Sequence, residues 1–182
     1  PCSRFPFRLI SSNSNEGLFI IDTKEDTVTS VIYPDFNDNQ SFTRSPEITG
    51  TDFVSHSTLS GGMLFSPGTK EDGSLFDVDS QFNLVINEFY ANPAADEGEL
   101  MPGDANNDGE RSPSGDEFIE FFNKGHNDLD ISGWKVSDVL NTPTLRHVFP
   151  DNTIVPAGKA VVVFGGGTPT GEFGGSIVQT AS

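Results

Sequence analysis

Apolar residues fall along this chain in short runs separated by polar, glycine- and proline-rich stretches. Residues 17–22 read as a strand. Residues 27–33, β-branched and bounded by Asp26 and Pro34, read as its partner, and the polar link 23–26 makes the two a β-hairpin. Residues 34–50 are dense in turn formers, among them Pro34, Asp35, Asn39, Pro46 and Gly50, and 52–56 form a brief strand. Residues 57–80 are rich in Gly, Ser, Pro and Asp. Ser66-Pro67-Gly68 and Glu71-Asp72-Gly73 are turn signals, and 66–80 read as a linker or long loop.

A strand over 82–90 places Leu84, Ile86 and Glu88 on one face, and a long acidic loop follows at 91–116. Residues 117–123 alternate only in part. Residues 129–136 alternate with one slip through Leu129, Ile131 and Val136, with Gly133 marking a bulge. A strand at 145–149 stops at Pro150. The continuous apolar run 160–164 predicts a strand buried on both faces or a central one, ended by Gly165-Gly166-Gly167, and 176–179 form a last strand. No segment sustains a 3.6-residue apolar period. The rhythm of short strands and turns predicts an all-β antiparallel sandwich.

Composition narrows the function classes. The 182 residues can bury a real core without disulfide staples, and 16 Phe supply much of its apolar content. The formal net charge of -17 repels nucleic acid phosphates and anionic lipid, so neither is expected as a partner. The same charge suits solubility or cation binding. Cys2 is the single cysteine and cannot close an intramolecular disulfide. No apolar run is long enough for a membrane helix, so no membrane insertion is expected. The start at Pro1, without Met or signal peptide, reads as a processed chain or a piece of a longer one.

The most specific local motif lies in the acidic loop. Calcium takes six to eight oxygens, and carboxylate or amide oxygens at alternate loop positions can converge on one ion. Asp104, Asn106 and Asp108 have that spacing. Gly109 permits the sharp turn that follows, and the backbone carbonyl of Glu110 adds another oxygen. The helix-loop-helix calcium hand would close with Glu at the position held here by Gly115. With the loop one residue longer, Asp116 can swing in as the closing carboxylate. The flanks are strand-like, so the expected site is a calcium loop set between strands. The competing reading is a solvated turn, which Asp, Asn and Gly also favour.

Nothing converges into a catalytic set. His56, His126 and His147 are scattered, no G-x-S-x-G elbow is present, and Gly165-Gly166-Gly167 precedes neither a helix nor a Lys-Ser/Thr pair. Glu88, Glu117 and Glu120 could supply a carboxylate pair for glycoside hydrolysis. No aromatic-lined cleft accompanies them, and Trp134, the only Trp, is expected in the core. The chain therefore reads as a non-enzyme.

Residues 84–93, 103–109, 116–123, 129–138, 146–150 and 155–165 match in order the segments of a known family. The chain resembles the bacterial version of the lamin tail domain, which implies an immunoglobulin-like β-sandwich. Residues 17–33, 39–46, 52–56 and 65–69 resemble the closing part of the same domain. So 1–66 resemble its C-terminal part, 67–80 form a linker, and 81–182 resemble its N-terminal part with the calcium loop. Three arrangements stay open: a circular permutant closed on itself, a window across two tandem copies, or a subunit whose front half completes a neighbour, giving a ring or filament. The resemblance implies an extracellular or cell-surface module for adhesion or assembly, with itself or other surface proteins as partner. The alternative is an accessory domain of a secreted nuclease or phosphatase.

Overall fold

The computed structural model describes residues 16–33, 39–76, 84–95, 101–138 and 144–181. The chain forms strands β1 (Glu16–Ile21), β2 (Thr27–Tyr33), β3 (Phe42–Ser45) and β4 (Asp52–Ser55), a short helix α1 (His56–Ser60), and strands β5 (Leu84–Tyr90), β6 (Phe118–Asn123), β7 (Leu129–Asp130), β8 (Lys135–Asp138), β9 (Thr144–Val148), β10 (Ile154–Val155), β11 (Ala160–Phe164) and β12 (Ile177–Thr180). A four-stranded sheet runs β2-β1-β8-β9 and a six-stranded sheet runs β12-β11-β6-β5-β3-β4. β7 and β10 pair separately. The expected all-β sandwich forms, with antiparallel pairing throughout the two main sheets except for the parallel β11–β12 pair.

Strands from before and after residue 77 share both main sheets within one chain, the earlier pair forming one end of each. β1 lies against β8, with Leu18 opposite Asp138 and Ile21 opposite Lys135. β3 lies against β5, with Phe42 opposite Phe89. The core between the sheets mixes the two parts in the same way. Leu18, Ile20, Val31 and Tyr33 pack with Leu84, Ile86, Ile119, Phe121, Val161 and Val163. Phe89 is the hub: its ring lies 5.0 Å from that of Tyr33, 5.4 Å from Phe53 and 5.7 Å from Phe42. Burying side chains of this size stabilises by roughly 1.5–3 kcal/mol each.

The outer face of the six-stranded sheet is covered too, which is why β11 is buried on both faces as its apolar run predicts. Tyr90, Phe118, Val162 and Phe164 form a second cluster there. Phe65, Ala105, Phe173 and Val178 pack onto it.

Five local expectations change. β3 forms inside a stretch read as turns, because Phe42 has the core to fill. His56 begins α1 and is not part of the preceding strand. Residues 129–136 are not one bulged strand: β7 ends at Asp130, the chain turns at Gly133 (φ 74°), and β8 joins a different sheet. Trp134 consequently packs at the border of the core, half-buried. Finally, Glu88 does not share a face with Leu84 and Ile86. The β5–β6 register slips between Ile86 and Glu88, so Phe89 takes the core side and Glu88 turns outward.

Candidate metal centre

The loop joining β5 to β6 is anchored before its acidic stretch. Arg111 donates from Nε to the Ala94 carbonyl (2.8 Å) and from its terminal nitrogen to that of Pro93. The Ala94 amide donates to the Tyr90 hydroxyl at 2.7 Å. Gly103 passes so close that a Cβ there would stand 2.1 Å from the Ala94 carbonyl oxygen.

From Asp104 onward, side-chain oxygens fold the backbone around themselves. Asp104 accepts the amides of Asp108 (3.2 Å) and Gly109 (3.0 Å). Asn106 Oδ1 accepts the same Asp108 amide at 3.0 Å, and Asp108 Oδ1 accepts that of Glu110 at 3.0 Å. These are the side-chain-to-backbone turns that Asp and Asn form. Asp116 is wholly buried and accepts the amides of Asn106 (3.1 Å) and Ser112 (2.6 Å). Burial pushes its carboxyl up, the two amides pull it back, and the charges of Asp104 and Asp108 raise it further.

The loop is also fastened to the exit of β11. The Thr168 amide donates to Asp108 Oδ2 at 3.0 Å, and the Thr170 amide to the Asn106 carbonyl at 3.1 Å. The Thr170 hydroxyl donates to the Asn107 carbonyl. Asn106 Nδ2 reaches the carbonyls of Gly115 and Gly166, both at 3.4 Å. Gly167, at φ 75°, is required here: a Cβ would stand 2.3 Å from Asn106 Nδ2 and 2.5 Å from Asp108 Oδ2.

The structure thus gathers Asp104, Asn106, Asp108 and Asp116 in one loop. The Glu110 side chain is exposed, in keeping with an expected contribution from its carbonyl alone. Among the described residues, no three Asp, Glu, His or Cys side chains form a ready metal cage. The loop carboxylates are turned onto amides instead. The donor set still fits a hard cation in kind, since each expected group is an oxygen and a carboxylate oxygen keeps lone pairs after accepting one amide.

Of the three carboxylates weighed for glycoside hydrolysis, Glu88 and Glu120 do come together, in a second polar cluster whose third member, His56, the sequence did not bring to them. Glu88 and Glu120 stand directly opposite each other on β5 and β6, both at 0% exposure. Beside them His56 Nδ1 lies 2.8 Å from Thr43 Oγ1 and 3.6 Å from Glu88 Oε1, and burial lowers its pKa. The available signal was a carboxylate placed inside each of two apolar strands. Glu117 is buried next to Phe118, and its carbonyl accepts the Gly165 amide. His147 is buried, bonded to Gln179 at 2.8 Å and packed edge-on against Phe149, while His126 is exposed.

A family model described as Lamin Tail Domain matches residues 78–181. The chain belongs to the lamin tail domain family. No curated protein and no solved structure matches it. The family explains the all-β, immunoglobulin-like sandwich. In this lamin tail domain β5 to β12 lie within the matched residues. β1 to β4 lie outside them, yet pair with β8 and β5 in the two main sheets.

Proposed function

We propose that this lamin tail domain is a non-catalytic, extracellular structural or adhesion module whose β5–β6 loop binds one calcium ion. The observation that carries this reading is the fastening of the loop across the exit of β11, with Asn106 and Asp108 providing both the expected ligand oxygens and the bonds to 166–170. Asp104, Asn106, Asp108, the Glu110 carbonyl and Asp116 would hold the ion. It would offset the mutual repulsion of three carboxylates and brace two loops that no disulfide holds. The front part supplies β1 to β4, so the domain acts as one permuted sandwich. Its partner is another surface protein or a further copy of itself.

Extracellular calcium modules bind at about 0.1–1 mM, so about 2 mM calcium stabilises the native state by about 0.6–2 kcal/mol. For a chain of this size, at about 0.4 kcal/mol per degree, that raises Tm by about 2–5 °C. The test is a thermal melt with calcium and with chelator, repeated on the Asp104→Ala/Asp108→Ala double variant. The expected result is a calcium-dependent rise in the parent that the variant lacks. An unchanged melt together with no calorimetric binding would show that the loop is only a solvated turn.

A further inference from the structure

Residues 64–76 run from the end of the front part across the outer face of the six-stranded sheet, and carboxylates hold them down. The Ser41 amide fixes the start by donating to the Leu64 carbonyl at 2.9 Å. Glu88 Oε1 accepts the Ser66 amide at 2.9 Å and the Ser41 hydroxyl at 2.5 Å. Its Oε2 accepts the Ser66 hydroxyl at 3.0 Å. Glu120 Oε2 accepts the Gly68 amide, and its Oε1 accepts Asn87 Nδ2 at 2.8 Å. Farther along, Glu47 accepts the Glu71 amide at 3.3 Å, and Phe76 packs on Phe122 with ring centroids 4.3 Å apart. Gly68 is pressed from above as well: a Cβ would stand 2.0 Å from the Phe173 carbonyl oxygen.

The surroundings of the Glu88–Glu120 pair do little to neutralise it. From α1, His56 faces Glu88, and burial holds its imidazole toward the neutral form. From β3, Arg44 directs its guanidinium to the carbonyls of Ile86 (2.5 Å) and Gly50 (2.7 Å) and over the Phe53 ring. Glu47, from the turn after β3, shares Asn87 with Glu120. The segment itself carries Lys70, whose field acts on Asp72, and Glu71, whose charge bears on Glu47. Two carboxylates opposed on neighbouring strands at a fully buried site cannot both be charged without a large cost, so Glu120 retains a proton. Burial first, and then the charge of Glu88, push the Glu120 carboxyl well above its usual range, against the pull of Asn87 and the Gly68 amide.

We propose that Glu88 and Glu120 form a proton-held latch that clamps residues 64–76 to the sheet and releases them in alkaline solution. With that proton on Glu120, both carboxyl groups grip the segment. Loss of that proton sets two buried negative charges face to face, and the simplest relief is to hydrate them by lifting the segment. Release lengthens the described part of the tether between α1 and β5 and uncovers the outer face of β5 and β6.

Hydrogen exchange on the full chain tests this from about pH 6 to about pH 10, with rates corrected for intrinsic base catalysis. The expected result is a loss of protection over residues 64–70 at least about tenfold greater than over β11, since tenfold is what one unit of pKa displacement yields. Glu120→Gln, which cannot ionise, should hold that protection level with β11 throughout. Should that variant fail to fold, Glu88→Gln removes the same opposed charge and carries the same expectation. Parallel behaviour of residues 64–70 and β11 in the parent chain would overturn the latch. So would a variant that loses protection as the parent does.

Discussion

Whether β1 to β4 belong to the same cooperative unit as the family-matched strands can be decided by one substitution in β1. Ile20 is fully buried in the core and lies between Thr29 of β2 and Val136 of β8. Ile20→Ala removes buried carbon atoms where close packing gives little room to collapse. The cost of such a change is about 2–5 kcal/mol, and a site at zero exposure between two strands belongs near the middle, about 3–4 kcal/mol. Unfolding entropy near 60 °C is about 2 cal/mol/K per residue, so for this chain about 0.4 kcal/mol is lost per degree and Tm should fall by about 8–10 °C. Trp134 gives the readout. It is the only Trp, and it packs against the core from the turn leading into β8, within the family-matched part and outside the substituted strand. One transition, displaced by that amount and seen by Trp134 fluorescence, is the expected outcome. A displacement under about 2 °C would be too small for a shared core. It would mean that β5 to β12 are stable without the front part, and the single-sandwich reasoning would fail.

Two further expectations concern the loop and pH. Gly167→Ala places a methyl against Asn106 and Asp108 at a positive φ and should cost about 1–3 kcal/mol. Gly109→Ala has open space at its own positive φ and should cost less, and urea midpoints of the two variants compare them directly. Burial first, then the hydrogen bond and charge of Glu71, push the Glu47 carboxyl up to about 9. A raised carboxyl stabilises fully below its unfolded value and loses that contribution as pH rises toward 9, so urea midpoints should decline from about pH 5 to about pH 9. Glu47→Gln should flatten this decline, and an equal slope in both chains would exclude Glu47 as its source.

The parts legible in the sequence were those whose cause is local. The β1–β2 hairpin has β-branched runs around a short polar link, β11 has an unbroken apolar run, and the Asp104–Asp108 spacing prescribes its own turns. The parts that escaped depend on distant partners. β3 is a strand because Phe42 meets Phe89, and nothing within 34–50 announces that. The outward turn of Glu88 needs one extra residue in the β5–β6 register, invisible in a strand that alternates correctly up to Ile86. Residues 66–76 have the composition of a slack connection. Their firm seat comes from Glu88, Glu120 and Glu47, each supplied by an element elsewhere in the chain. Gly167 reads as a strand exit, and its necessity appears only when the acidic loop is laid over it.

The pairing of β1 with β8 sets a timetable for synthesis. β1 and β2 leave the ribosome as a hairpin whose apolar face has no sheet to join, since Leu18 and Ile20 await Asp138 and Val136. Roughly a hundred more residues must be made first, which at 5–20 residues per second takes on the order of ten seconds. During that interval the hairpin offers an open edge and marginal stability of its own. On a crowded polysome, a neighbouring chain a little further along can present its β8 before the hairpin's own has been translated. Translation speed therefore becomes a determinant of whether each copy closes on itself or is completed by another.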